Sequence, residues 1–210
     1  MTYSPDQLFD IATDRMYSIL NSYFIWKWIN LSINTNKDGA EKAYDNLDQV
    51  VNKYKYFFQQ TLVNSFNSFI IDLAIFFDKN YDEVFTLKKL TKAVSPTLTK
   101  EVLQKVENLI KPNFETINLV RQLRNKVAHA SLIDIPNKFV LYESFEKLFA
   151  ALHEVINLLS ITHDGSVTTW NHVEKDVEAD LSWIFANLKR GENERIKEIH
   201  NKYKVEIALI

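Results

Sequence analysis

Residues 124–130 read RNKVAHA, an arginine, an asparagine and a histidine within six positions of one another. These are types that can act on a phosphodiester. Histidine titrates near neutrality, so it can take or give the proton of a hydroxyl. Arginine presents a planar fork that holds a phosphate and offsets the charge building on it. Asparagine can orient the imidazole or bond a phosphate oxygen. Together they suit attack by an RNA 2′-hydroxyl on its neighbouring phosphate, a route that needs no metal and that DNA cannot follow. The bland alternative is a helix surface, or a C-terminal cap solvated by polar residues.

Spacing leaves both open. On a straight helix Arg121, Asn125 and His129 share one face, while Arg124 lies about 140° around from His129. Phe114, Ile117, Val120, Leu123 and Val127 form a separate apolar stripe. A symmetric partner chain could supply what one helix does not bring together. Arg195 and His200 repeat the spacing in RIKEIH, but within a charge-rich helix that reads as a solvated face.

The elements that must position these residues are helices. Ser4-Pro5-Asp6-Gln7 carries a capping box with proline at the first helical position, opening a helix to about Leu31. A second helical region covers roughly 39–79, with a break expected near Val50 or Gln60. A short helix, TLKKLTKAV, precedes one capped by Ser95-Pro96 and running to about Ile110. The motif helix spans about 113–133. Phe145, Leu148, Phe149, Leu152, Val155, Ile156 and Leu159 then follow the i, i+3, i+4, i+7 pattern. In the next helix Val173, Val177, Leu181, Ile184 and Leu188 share a face, Gly191 is expected to stop it, and a charged helix follows. No strand alternation or internal repeat appears. The expected fold is all-α, an antiparallel helical bundle in a single domain over 1–210, with a core at about 40–165 and a C-terminal extension at about 170–210.

Composition agrees. The chain of 210 residues is 46% apolar and 13% aromatic, with three glycines and four prolines. Such a chain can bury a sizeable core and break few helices. The absence of cysteine excludes disulfides, thiolate zinc sites and cysteine nucleophiles. A net charge of −2 argues against non-specific coating of nucleic acid, so any such contact must be local. The start, MTYSPDQLFD, shows no signal-peptide pattern, and the apolar runs are too short for a membrane span. A cytoplasmic protein with no membrane partner is expected.

Other chemistry is poorly supported. His153, His163 and His172, with Glu154, Asp164 and Glu174, match no metal-site spacing, so no metal or other cofactor is expected. Asp72, inside FIIDLAIFF, is expected to be structural and bonded to an Arg or Lys of a neighbouring helix. Trp26 and Trp28 read as core or interface rather than a base-stacking platform.

RNKVAH resembles the Arg-Asn-x-x-x-His form of the motif marking the HEPN superfamily. With the upstream SFIIDLAIFFDKN and TLKKL, the stretch 60–160 is similar to HEPN proteins of the abortive-infection U type. The resemblance implies an all-α bundle and a metal-independent endoribonuclease leaving a 2′,3′-cyclic phosphate, acting in phage defence or a toxin–antitoxin system. It implies Arg124, Asn125 and His129 as catalytic residues; Arg121 and Lys126, which the same helix gathers nearby, are expected to extend the phosphate-binding surface. It also implies a homodimer with a composite active site, an RNA substrate, and a cognate antitoxin or regulatory protein as a further partner. Its alternative is a catalytically inactive HEPN module that binds nucleotide, RNA or a partner protein.

Overall fold

The computed structural model describes residues 3–33, 47–78, 85–128 and 138–204, which form helices joined by turns with no strand among them. The protein is all-α. Its first helix, α1 (Pro5–Ile33), opens on the expected reciprocal cap. The Ser4 N–H donates to Gln7 Oε1 at 2.9 Å, and the Gln7 N–H to Ser4 Oγ at 3.2 Å. Helices α2 (Leu47–Lys53) and α3 (Lys55–Phe76) are separated at Tyr54. The break expected near Val50 or Gln60 therefore falls between those positions, at a residue whose hydroxyl donates to Glu192 at 2.8 Å.

Helix α4 (Leu87–Val94) is capped by Thr86, whose hydroxyl accepts from the Lys89 N–H at 3.2 Å. The cap of the following helix differs from the sequence expectation. Ser95–Thr97 form a separate 3-10 turn, and Leu98 is extended with ψ 134°. Helix α5 (Lys100–Ile110) then starts from Thr99, which accepts from the Val102 N–H at 3.3 Å. Pro96 fits the short turn, and the chain leaves helical geometry before Thr99 restarts it. A second 3-10 turn, Lys111–Asn113, leads into α6 (Phe114–Ala128), and α7 (Lys138–His163) and α8 (Val173–Tyr203) complete the order.

The chain divides into two compact units. One comprises Met1–Leu20 and Asn67–Trp170. Within it α4, α5 and α6 all pack on α7. The seven apolar positions expected on α7 are all buried. Each contributes about 1.5–3 kcal/mol when withdrawn from water. Phe145 meets Phe69 edge-to-face at 5.4 Å. On α6 the stripe Ile117, Val120 and Leu123 is buried, but Phe114 is 55% exposed. Asp72 is bound by Arg15 at 3.2 Å and Ser18 at 3.4 Å.

The other unit comprises Asn21–Phe66 and Asn171–Ile210. Phe58 stacks on Phe185 at 5.3 Å and Trp26 packs on Phe66 at 5.3 Å. Trp26 is buried, as a core residue should be. Helix α2 packs on α8, where the buried Glu192 takes Lys53, Tyr54 and Arg195 together. Arg195 is thus part of a network rather than a merely solvated charge. Two further expectations are corrected on α8. It runs through Gly191 without stopping, because buried side chains on both sides, from Val173 to Glu192 and Ile196, outweigh the penalty of about 1 kcal/mol for a helical glycine. The buried stripe also uses Phe185 in place of Ile184, because i+4 spacing from Leu181 brings Phe185 onto Phe58. No helix among the described residues is long and apolar enough to cross a membrane.

Candidate active site

The site is built where α6 meets the end of α3. The last turn of α3 tightens, with the Phe77 N–H donating to the Ala74 carbonyl at 3.1 Å and the Asp78 N–H to the Ile75 carbonyl at 3.2 Å. A helix end leaves carbonyls without intrahelical partners and carries partial negative charge, so it attracts cations. Two arginines of α6 answer it. Arg121 Nη2 donates to the Phe77 carbonyl at 2.6 Å, and Arg124 Nη1 pairs with the carboxylate of Asp78. Arg124 Nη2 also donates to Asn125 Oδ1 at 3.4 Å, and Arg121 Nη1 to Asn118 Oδ1 at 3.4 Å.

Ala74, Asp78, Arg121, Arg124 and Asn125 line a pocket of about 240 Å³. Three sequence candidates, Arg121, Arg124 and Asn125, are therefore brought together. Lys126 is exposed and does not line the pocket. His129 lies outside the described residues, next in sequence after Ala128. Arg121 and Arg124 are three positions apart and neighbours on the helix surface, and both guanidinia reach the same helix end. The pair can bind an anion: two guanidinium forks share one small pocket, and the Arg124 fork is oriented by the mostly buried Asp78 carboxylate.

Asp78 was not among the residues singled out in the sequence. Its signal was there: a carboxylate closing an apolar run, with two arginines elsewhere needing an anion. Asp72, the other acidic candidate, belongs to the Arg15 pair and does not line this pocket. Two of the three histidines considered for metal binding have other partners. His153 Nε2 lies 3.0 Å from the Thr168 carbonyl, and its ring meets Trp170 edge-on. His163 Nε2 lies 2.9 Å from Asp6 Oδ1, and its ring stacks on Phe9.

The fold is all-α among the described residues, and Arg124 and Asn125 of the Arg-Asn-x-x-x-His motif lie near the end of the described part of α6. The family model HEPN_AbiU2, described as AbiU2, matches residues 17–182, and the chain belongs to this abortive-infection U-type HEPN family. No curated protein and no solved structure matches it.

Proposed function

We propose that this abortive-infection-associated HEPN module is a metal-independent endoribonuclease, acting as an effector of phage defence or of a toxin–antitoxin system. Arg124 binds the scissile phosphate and stabilises the charge of its transition state. His129 removes the proton of the 2′-hydroxyl or protonates the leaving 5′-oxygen, and two copies across a homodimer cover both roles. The bond from the 2′-oxygen to phosphorus forms as the bond to the 5′-oxygen breaks. The products are a 2′,3′-cyclic phosphate and a 5′-hydroxyl. Asn125 orients the Arg124 fork, and Arg121 and Lys126 add positive charge beside the phosphate.

The observation that carries this reading is the convergence of Arg121, Arg124 and Asn125 on one pocket, with Arg124 held by Asp78. A pre-oriented guanidinium is what transition-state stabilisation requires. The same Arg124–Asp78 pair favours a second reading, a catalytically silent nucleotide- or RNA-binding module, because the carboxylate already offsets the charge of Arg124. RNA cleavage in EDTA separates the two. Wild type should cleave and leave cyclic-phosphate ends, and His129→Ala and Arg124→Ala, with unchanged circular dichroism, should not. Equal cleavage by the variants would exclude these roles. RNA binding without cleavage by wild type would favour the second reading.

A further inference from the structure

Beside the Arg124 pocket, and sharing Asp78 and Arg121 with it, lies a wider groove of about 770 Å³ within the same unit. One wall is α4, which contributes Lys88 and Lys92; the other is formed by α5, by Lys111 of the turn after it and by Phe114 at the start of α6. The buried Phe76 and Val106 are part of its apolar lining, beside Phe77. All three lysines are exposed, and none of them makes an ion pair among the described residues. The lining carries Lys88, Lys92, Lys111 and Arg121 against Asp78 and Glu107, and Asp78 is already paired with Arg124. The groove is therefore locally basic in a chain of net charge −2. It also presents the Phe114 ring, 55% exposed although it starts a helix whose other apolar residues are largely buried.

We infer that this groove binds single-stranded RNA flanking the scissile phosphate, with phosphates on Lys88, Lys92 and Lys111 and a base stacked on Phe114. The inference rests on the ribonuclease reading for its link to cleavage, but the binding stands on the groove's own residues. Cations interleaved with exposed aromatic rings are how single strands are held without sequence readout. Lys88 and Lys92 are one helical turn apart, about 6 Å, close to the separation of successive phosphates in an extended strand. A volume in this range accommodates one or two nucleotides. An acidic polypeptide would use the lysines but leave Phe114 and the apolar lining unmatched, so the aromatic component favours RNA. The shared Asp78 and Arg121 make the groove continuous with the pocket of Arg124, as a track for a strand being cut there requires.

The test is fluorescence anisotropy with a labelled 2′-O-methyl decauridine, which lacks the nucleophilic hydroxyl and cannot be cleaved by this route. Its outcome is thus independent of whether the protein is a nuclease. Wild type should bind with a steep salt dependence. The triple variant Lys88→Gln/Lys92→Gln/Lys111→Gln should bind more weakly, with the slope of log K against log salt reduced by about 2. Phe114→Ala should weaken binding by about tenfold and leave the slope unchanged. All four side chains are exposed, so melting temperatures should match wild type. Absence of binding by wild type, or a triple variant with wild-type affinity and slope, would overturn the inference. Displacement of the RNA by an equal concentration of decaglutamate would also overturn it and assign the groove to an acidic polypeptide. Failure of the His129→Ala cleavage test would remove the ribonuclease reading and leave these binding results standing.

Discussion

Glu192→Gln removes one charge from a defined network and leaves its shape. The Glu192 carboxylate is buried, accepts from Tyr54 Oη at 2.8 Å and from Arg195 Nε and Nη2 at 3.1 and 2.9 Å, and pairs with Lys53. Lys53 above all, with Arg195 and Tyr54, holds its pKa down from the ordinary 4.5 to about 2, against the opposing effect of burial. A displacement of that size corresponds to at most about 3 kcal/mol. Lys53 and Arg195 are 31% and 51% exposed, so screening by solvent reduces the net contribution to about 2 kcal/mol. For a chain of this length, the loss lowers the melting temperature by about 4–8 °C. Calorimetry at neutral pH should show that drop. Because the folded pKa is depressed, the stabilisation is complete above about pH 4.5 and drains away as pH falls towards about 2. The gap between wild type and E192Q should therefore close over that interval. A gap below about 1 °C at neutral pH, or one that persists unchanged in acid, would refute the reasoning.

The two arginines of the candidate site should separate in their effects. Arg121→Ala strips a donor from the Phe77 carbonyl and should lower stability by about 1–2 kcal/mol in urea unfolding. Arg124→Lys keeps the charge but loses the fork, so cleavage should fall about tenfold or more while the melting temperature moves by less than about 2 °C. Gly191→Ala should stabilise α8 by about 0.5–1 kcal/mol, since a Cβ there meets nothing within 4 Å. Gly165→Ala should instead cost about 1 kcal/mol, because its φ of +81° disfavours any side chain. Urea midpoints at constant slope would measure both.

Much of the helical architecture could be read along the chain, because its causes are local. The Ser4–Gln7 cap depends on atoms three residues apart, and the α7 stripe on a period of 3.6. The motif was legible for the same reason: Arg124, Asn125 and His129 declare their chemistry by type and proximity. Gly191 and Ser95-Pro96 misled because a local stop or cap signal is worth about 1 kcal/mol, and packing can outweigh it. At Gly191 the buried side chains on either side of it carry the helix onward.

What only the tertiary structure decided is which groups meet across long sequence separations. Asp78 and Arg124 are 46 positions apart, and Tyr54 and Glu192 are 138 apart. No periodicity links such pairs; they form because a buried carboxylate must find its cation and a helix end must find its donors. By itself the sequence determined helices, their apolar faces and the residue types of the proposed phosphate site. The fold decided that Arg121 and Arg124 share the end of α3, and that a basic groove with an exposed phenylalanine runs beside them.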